Sequence, residues 1–415
     1  MKRKPVLAII GGGASGLVGG IFAKRISGDK AKVIILERMD RAGKKILATG
    51  NGRCNFTNMN MSVSDFYGEN PGFVKYALND FGVYDTLDFF GKLGIYPKEE
   101  DDGKMYPYSG QASSVLDVLR YELQRLEVDI ITAFEVKSVK YTKTGFKIVS
   151  SSGKLIDADR VIVAAGGCAS PNLGSDGSGF HILRTLGHRI TKLSPALVQL
   201  KTERDIVKGL KGIKFTGNVK MFSEDKFIKE EYGEVLFTDY GLSGPPVFRL
   251  SAVSAMLGKC RVLLDFTPRL SKKDVFDLLY ERKKNLHYLT MENFFTGLLN
   301  KRIGNAVAKK SGVEKLSFPV SALNREIIRK MAENIKEFPF DIIGRNGFNN
   351  AQVTAGGAST KEFNDKTMES SIINGLYACG EVFDIFGNCG GFNLQWAWSS
   401  GRLAGKSAAE SLITR

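Results

Sequence analysis

Residues Val6–Ile10 (VLAII) form an unbroken apolar run between Pro5 and the glycines of GGGASG. Such a run is the pattern of a strand buried on both faces of a parallel sheet. A helix-like segment follows to about Arg25, and a second strand, VIILE, ends at Glu37. From Tyr121 to Ala165 the pattern reads as helix, strand and hairpin, and its last run, RVIVAAGG, is a strand closing on Ala165-Gly166-Gly167. The texture then changes. Residues 195–265 alternate in period two, with turn signals at SED (223–225) and LSGPP (242–246), which predicts a β-rich module. Pro268 and the capping pattern Ser271-x-x-Asp274 open helices that run to about Lys336. After Phe340 the glycine-rich, strand-like texture returns in AQVTAGGAST and NGLYACGEVFD, and GNCGGFNLQWAWSSG leads into a helix.

These patterns predict an α/β chain whose main domain is interrupted. Its first part covers 1–193, a β-rich insertion 194–266, a helical insertion 267–340, and residues 341–415 complete it. A length of 415 residues agrees with more than one core, and 43% hydrophobic with 25% charged residues is an ordinary globular composition. The net charge of +15 changes the picture. It admits nucleic acid, an anionic surface or an anionic small molecule as partner. Residues 201–340 hold 26 lysines and arginines against 17 acids, so most of the excess lies there. Because these charges interleave, with no aromatic–basic recognition signature, the segment reads as a solvated face and no specific nucleic-acid partner is expected. Five scattered cysteines without C-x-x-C, and three histidines, argue against a disulfide framework or a metal centre and for a reducing cytoplasm. MKRK followed by nineteen uncharged residues, Pro5 to Ala23, imitates a signal peptide or short anchor. Six of the nineteen are glycine, which suits a loop; no targeting segment and no membrane span are expected.

The first candidate chemistry lies in GGGASG. Gly11, Gly13 and Gly16 stand in G-x-G-x-x-G phase between a strand and a helix, and Glu37 follows 21 residues beyond Gly16. That spacing sets an acid on the ribose hydroxyl of a dinucleotide. A Cβ at these glycines would hold the pyrophosphate away from the helix N-terminus, whose free N–H groups and dipole bind it. Glu37 would also repel a 2′-phosphate, which disfavours NADP at this position. RAGKKILATGNGRCNFTN (41–58) combines Gly43, Gly50 and Gly52 with Lys44, Lys45 and Arg53, suited to a phosphate or an anionic ring edge; a solvated surface loop is the alternative. At Gly390-Gly391-Phe392-Asn393 paired glycines allow a close backbone approach at a helix start. Trp396 and Trp398 are expected to pack that helix onto the sheet rather than stack on a ligand.

Taken together, GGGASG, GKKILATGNGRCNFTN, LFTDYGLSGP, VTAGGAST and GLYACGE with GGFNLQWAWSSG resemble the BaiN/RdsA-type NAD(P)/FAD-dependent oxidoreductases, over essentially the whole chain and in the same order. The resemblance implies non-covalent FAD in a glutathione-reductase-like Rossmann FAD-binding domain, with an inserted β-barrel-like module and a small helical module. It implies that Gly11, Gly13, Gly16 and Glu37 take the ADP half, with Ala14, Ser15, Arg38, Lys44 and Val136 also among the cofactor contacts. Lys45, Asn51, Arg53 and Cys54 would lie along the flavin, and Ala165, Gly166 and Gly167 beneath it. Gly380, Glu381 and Asp384 would hold the ribityl and pyrophosphate region, and Gly391, Phe392 and Asn393 the pyrimidine edge. FGNCGG stands where the family carries an acidic residue and a threonine before the glycines, so no side-chain role is assigned to Asn388 or Cys389.

The family includes a reductase of 3-oxo-4,6-diene bile acids and an oxidase of aminoacetone, so the shared motifs imply the cofactor and leave the substrate open. The preferred expectation is NAD(P)H-driven reduction of a conjugated C=C in a 3-oxo-4-ene or 4,6-diene bile-acid or steroid-like substrate, a small amphipathic anion. Amine oxidation is the first alternative and RNA modification the second. No second G-x-G-x-x-G follows another strand, so NAD(P)H is expected as a transient reductant that visits the open flavin face in ping-pong fashion. Enone reduction needs a hydrogen-bond donor at the carbonyl oxygen. Tyr240, in the TDYGLSG turn, is the candidate, with a structural turn tyrosine as its alternative. No oligomeric state is assigned.

Overall fold

The computed structural model describes residues 3–414; Met1 and Lys2, the head of the MKRK run, lie outside the described residues, as does Arg415. The chain divides into two compact units, Met1–Ala196 with Phe348–Arg415, and Leu197–Gly347.

The first unit is built on a parallel sheet of five strands: β1 (Val6–Ile10), β2 (Lys32–Leu36), β3 (Asp129–Ile131), β4 (Arg160–Val163) and β5 (Leu376–Ala378), in the order β5-β4-β1-β2-β3. Leu7 to Ile10, Val33 to Leu36 and Val161 to Val163 are all buried, which is why these strands carry no polar alternation. The chain winds from β1 to β2 and β3 on one side, then returns to β4 and β5 on the other. The strand order therefore reverses beside β1, and ligands of such sheets bind at the carboxyl ends next to that reversal. Helix α1 (Ala14–Ser27) follows β1, α2 (Lys44–Ala48) and α3 (Ala112–Arg125) come later, and α4 (Phe392–Ile413) ends the unit. A Cβ on Gly401 would stand 2.4 Å from the Ser15 carbonyl oxygen, and one on Gly405 2.2 Å from that of Gly19. Contacts 15/401 and 19/405 advance together, so α1 and α4 run parallel, backbone against backbone. The expected hairpin is the first pair of a three-stranded antiparallel sheet, Val136–Thr142, Gly145–Ser150 and Leu155–Ala158.

The second unit contains a closed antiparallel barrel of six strands, in the order 200–202, 241–243, 226–237, 214–223, 260–265 and 338–345. The period-two stretch supplies five of them. The sixth comes from beyond the helices Lys272–Asn285, Lys301–Lys310 and Arg325–Lys336, and pairs with both ends of the sheet. LSGPP, read as a turn, in fact opens the helix Pro245–Ser254, its prolines occupying positions where the missing N–H would be unpaired anyway. Ser271 and Asp274 form the expected capping box. No helix among the described residues is long and apolar enough to cross a membrane.

Candidate cofactor site

The chain leaves β1 through Gly11-Gly12-Gly13 and enters α1. Gly11 holds φ +108°, glycine's territory, and its N–H donates to the Leu36 carbonyl (2.8 Å). A Cβ would stand 2.4 Å from the Ala164 carbonyl oxygen at Gly11, 2.9 Å from Ala42 Cβ at Gly12, and 1.9 Å from the Gly11 carbonyl oxygen at Gly16. The protein's own packing demands those three glycines. Gly13 differs: its φ is −81°, and nothing lies within 4 Å of its Cβ position. It is the N-cap of α1, with no side-chain cap and no acid in the first turn. Ala14 is partly exposed and Ser15 buried, the latter's Oγ 3.5 Å from the Cys379 carbonyl. Uncapped amides at the start of a helix, facing open space, make an anion site.

Glu37 follows β2 directly and is buried. Its Oε2 accepts from the Gly12 N–H (2.8 Å) and its Oε1 from the Met39 N–H (2.8 Å), so the carboxylate shapes the glycine turn that it borders. Arg38 pairs with Asp176 and, at 3.4 Å, with Glu135. Val136, nearly buried, starts the antiparallel sheet just after Phe134, whose N–H donates to the Glu37 carbonyl (2.9 Å).

Beyond β4 the chain passes through Ala165 and Gly166 (φ +72°) to Gly167, where a Cβ would meet Thr354 Oγ1 at 2.3 Å. Thr354 ties the Cys168 segment to Glu381 and, through it, to Lys45. Its Oγ1 accepts from the Cys168 N–H (2.8 Å), its N–H donates to Glu381 Oε1 (2.9 Å), and Glu381 Oε2 accepts from Lys45 Nζ (2.7 Å). Gly380 (φ +75°) is pinned by its N–H to Ser400 Oγ (2.9 Å). Asp384 accepts from the Glu69 N–H (3.1 Å), and burial holds its carboxyl above the usual range.

Residues 41–58 carry α2 and a tight turn in place of the expected open loop. Three of their four cations are already committed: Lys44 to Asp40, Lys45 to Glu381, and Arg53 to Glu100 (3.0 Å) while its guanidinium stacks 4.2 Å over Tyr106. A paired cation offers an anion less than the composition suggests. Asn51 is exposed in the left-handed region, whereas Cys54 is fully buried; burial pushes its thiol up to about 12, so it stays neutral.

The start of α4 repeats the first motif. Gly391 (φ +98°) is its N-cap, again with no side-chain cap and no acid in the first turn. Asn393 closes the preceding loop: its Oδ1 accepts from the Gly387 N–H (2.8 Å) and its Nδ2 donates to the Gly387 (3.0 Å) and Asn388 (3.1 Å) carbonyls. Asn388 has a holding role that the sequence did not assign, accepting from Tyr67 (3.0 Å) and donating to Asp65 (3.0 Å). Phe392 packs edge-on to Phe66. Trp396 and Trp398 are buried as packing residues, their Nε1 atoms donating to the Gly380 (3.1 Å) and Phe56 (2.8 Å) carbonyls. Gln395, missed in the sequence, is fully buried and donates to Thr86 Oγ1 (2.8 Å) and to the Phe81 carbonyl (3.1 Å). Its signal was a glutamine between Phe392 and Ser399 on an otherwise apolar face. Tyr240 belongs to the second unit, half-buried in a turn held by Thr238 and Thr202.

Because Ser15 lies level with Gly401, α4 begins about eight residues, or about 12 Å, before the start of α1 along their common direction. Two uncapped helix starts at that separation fit the diphosphate and the ring of a flavin dinucleotide, with Gly13 leaving the space a phosphate needs and Glu37 beside it. Among the described residues no group of three or more His, Cys, Asp and Glu is placed to hold a metal ion.

The HI0933-like protein Rossmann domain family matches residues 5–407. A 3-dehydro-bile acid delta(4,6)-reductase of Clostridium scindens is 42% identical over 408 residues, 97% of this chain and 99% of that protein. A ribosomal RNA dihydrouridine synthase of Escherichia coli is 29% identical over 394 residues, 94% of this chain and 95% of its own. Among solved structures, the E. coli quinol fumarate reductase FrdA superposes with a TM-score of 0.52 at 16% identity, covering 99% of this chain and 71% of its own. A flavocytochrome c3 fumarate reductase gives 0.50 at 16%, covering 99% and 79%. At that identity the structures speak for the fold alone, a Rossmann-type FAD-binding one.

Proposed function

The chain belongs to the HI0933-like Rossmann domain family, and from that premise we propose that it is an FAD-dependent reductase of a C=C bond conjugated to a ketone, with NAD(P)H as electron donor and a 3-oxo-4-ene or 4,6-diene bile-acid or steroid-like acid as substrate. The observation that carries this is the 42% identity, end to end, to the Clostridium scindens reductase. FAD, when bound, supplies hydride transfer. The protein supplies placement and field. The α1 amides and the open side of Gly13 take the diphosphate, Glu37 the ribose, and the α4 amides the ring's pyrimidine edge, where a helix start favours negative charge. In this reading Tyr240 donates the hydrogen bond to the substrate ketone, and NAD(P)H and substrate alternate at one flavin face. We place the enzyme in the cytoplasm, since its five cysteines are scattered and form no C-x-x-C pair.

A second reading is favoured by the dihydrouridine synthases: reduction of a uridine C=C in RNA. Both names describe saturation of a double bond conjugated to a carbonyl, so the reaction class is shared and the substrate separates the readings. The test is anaerobic. FAD-loaded protein receives NADH or NADPH with a 3-oxo-4,6-diene bile acid, ribosomal RNA or aminoacetone, and cofactor oxidation and product mass are followed. Bile-acid reduction is the expected result, with Tyr240→Phe slower by about 10²-fold or more at unchanged FAD content. Turnover of RNA alone moves the assignment to the second reading, and peroxide from aminoacetone in a parallel run in air without NAD(P)H moves it to an oxidase.

A further inference from the structure

The segment Asn55–Asn58 runs beside the start of α4 and is stitched to it. The Phe56 carbonyl accepts from Trp398 Nε1 (2.8 Å), Thr57 Oγ1 donates to Gln395 Oε1 (2.6 Å), and Asn58 Nδ2 donates to the Gly390 carbonyl (2.8 Å). Asn55 breaks the series. The residue is 7% exposed, and its Oδ1 is buried with no hydrogen-bond partner. That oxygen lies 3.0 Å from the place a Cβ on Gly391 would occupy, at the N-cap of α4. Buried polar groups are partnered with few exceptions, so an orphan needs a cause. An orphan carbonyl beside an uncapped helix start has a ready one: a ligand that completes both.

We propose that Asn55 positions the flavin, its Oδ1 accepting from the ring's N3–H and its Nδ2 donating to a neighbouring ring carbonyl. The proposal rests on the FAD reading above. An imide edge presents acceptor, donor, acceptor in a row, and a side-chain amide is the matching adjacent pair whichever way it is turned. The α4 amides point the other way in chemistry: they can only donate, so they serve the ring carbonyl and N1, and leave N3–H to Asn55.

The experiment compares wild type and Asn55→Leu, which keeps the volume and deletes the amide, in binding FAD and 3-methyl-FAD, which has no N3–H. The thermal midpoint of each apoprotein is also measured. The expected result is a variant apoprotein at least as stable as wild type, since it no longer buries an orphan, with FAD bound about tenfold more weakly. Wild type should prefer FAD to 3-methyl-FAD, and the variant should have lost that preference; the methyl's bulk weighs on both proteins alike. An equal preference in the two proteins, or none in wild type, overturns the assignment of Asn55 alone. Wild type that takes up no FAD overturns the cofactor reading and this proposal with it. If Asn55→Leu fails to fold, Asn55→Ser takes its place in the same comparison.

Discussion

Gly13→Ala should separate cofactor binding from folding, which the neighbouring glycines cannot do. The new methyl meets no protein atom within 4 Å, and φ −81° is open to any residue. Two small effects on stability oppose each other. Alanine is a poorer N-cap than glycine, at about 0.5–1 kcal/mol, while losing glycine's freedom in the unfolded chain returns about 0.4–1 kcal/mol. The apoprotein should therefore melt within a few degrees of wild type. FAD is another matter: on the proposed reading the methyl stands where the diphosphate would approach the first turn of α1. Losing one or two charge-assisted hydrogen bonds, at about 1.5–3 kcal/mol each, weakens binding by roughly 10- to 10⁴-fold. Gly16→Ala is the control: its Cβ would lie 1.9 Å from the Gly11 carbonyl oxygen, so overpacking of about 1–3 kcal/mol or more should lower stability and cofactor binding together. The assay pairs apoprotein melting with FAD titration by flavin fluorescence. Wild-type FAD affinity in Gly13→Ala, or a melting loss equal to that of Gly16→Ala, would refute the reasoning.

Other outcomes follow from single contacts. Glu37→Gln should keep the fold and weaken FAD by about 1–3 kcal/mol, read in the same titration; unchanged affinity would show that the acid serves only the glycine turn. His188 is buried between Glu362 (2.9 Å) and Ser370 (3.0 Å), and burial, the larger influence, holds its pKa below the usual value. The neutral form belongs to the fold, so its contribution is whole above about pH 6.5 and is lost as pH falls through the depressed value. Urea midpoints should drop between pH 7.5 and 5.5, and His188→Gln should flatten that drop. Cys54 and Cys379, buried with thiols pushed up to about 12, should resist a thiol reagent at pH 8 until denaturant is added, while the partly exposed Cys168 and Cys389 react in the native protein; early labelling of Cys54, read by mass spectrometry, would contradict its burial.

What was legible in the sequence is what depends on neighbours in the chain. The apolar runs of β1, β2 and β4 needed no alternation because both faces are covered, and GGGASG showed a turn whose glycines can be checked one by one. What was hidden depends on residues far along the chain. The barrel strand Phe338–Arg345 pairs with Leu200–Thr202 and Cys260–Asp265, across helices that gave no hint of it. Lys45 reads as a free cation until Glu381 meets it (2.7 Å), and the side-chain amide of Asn393 closes a loop that only the fold reveals. Asn55 is the reverse case, an unremarked residue in a basic stretch whose importance lies in a bond the protein does not make.

The two helix starts also differ in what fixes them. Gly401 and Gly405 bring α4 against the Ser15 and Gly19 carbonyls with no room for a side chain, so α4 can slide along α1 only by driving Cβ atoms into backbone. The offset of about 12 Å between the two sets of free amides is thus a property of the packed protein and not of the ligand. Gly380 joins the same arrangement, its N–H held by Ser400 and its carbonyl by Trp396. If these starts take the diphosphate and the ring, as proposed, their spacing is set by protein packing and not assembled on binding. Trp396 and Trp398 hold the helix from behind, through the Gly380 and Phe56 carbonyls.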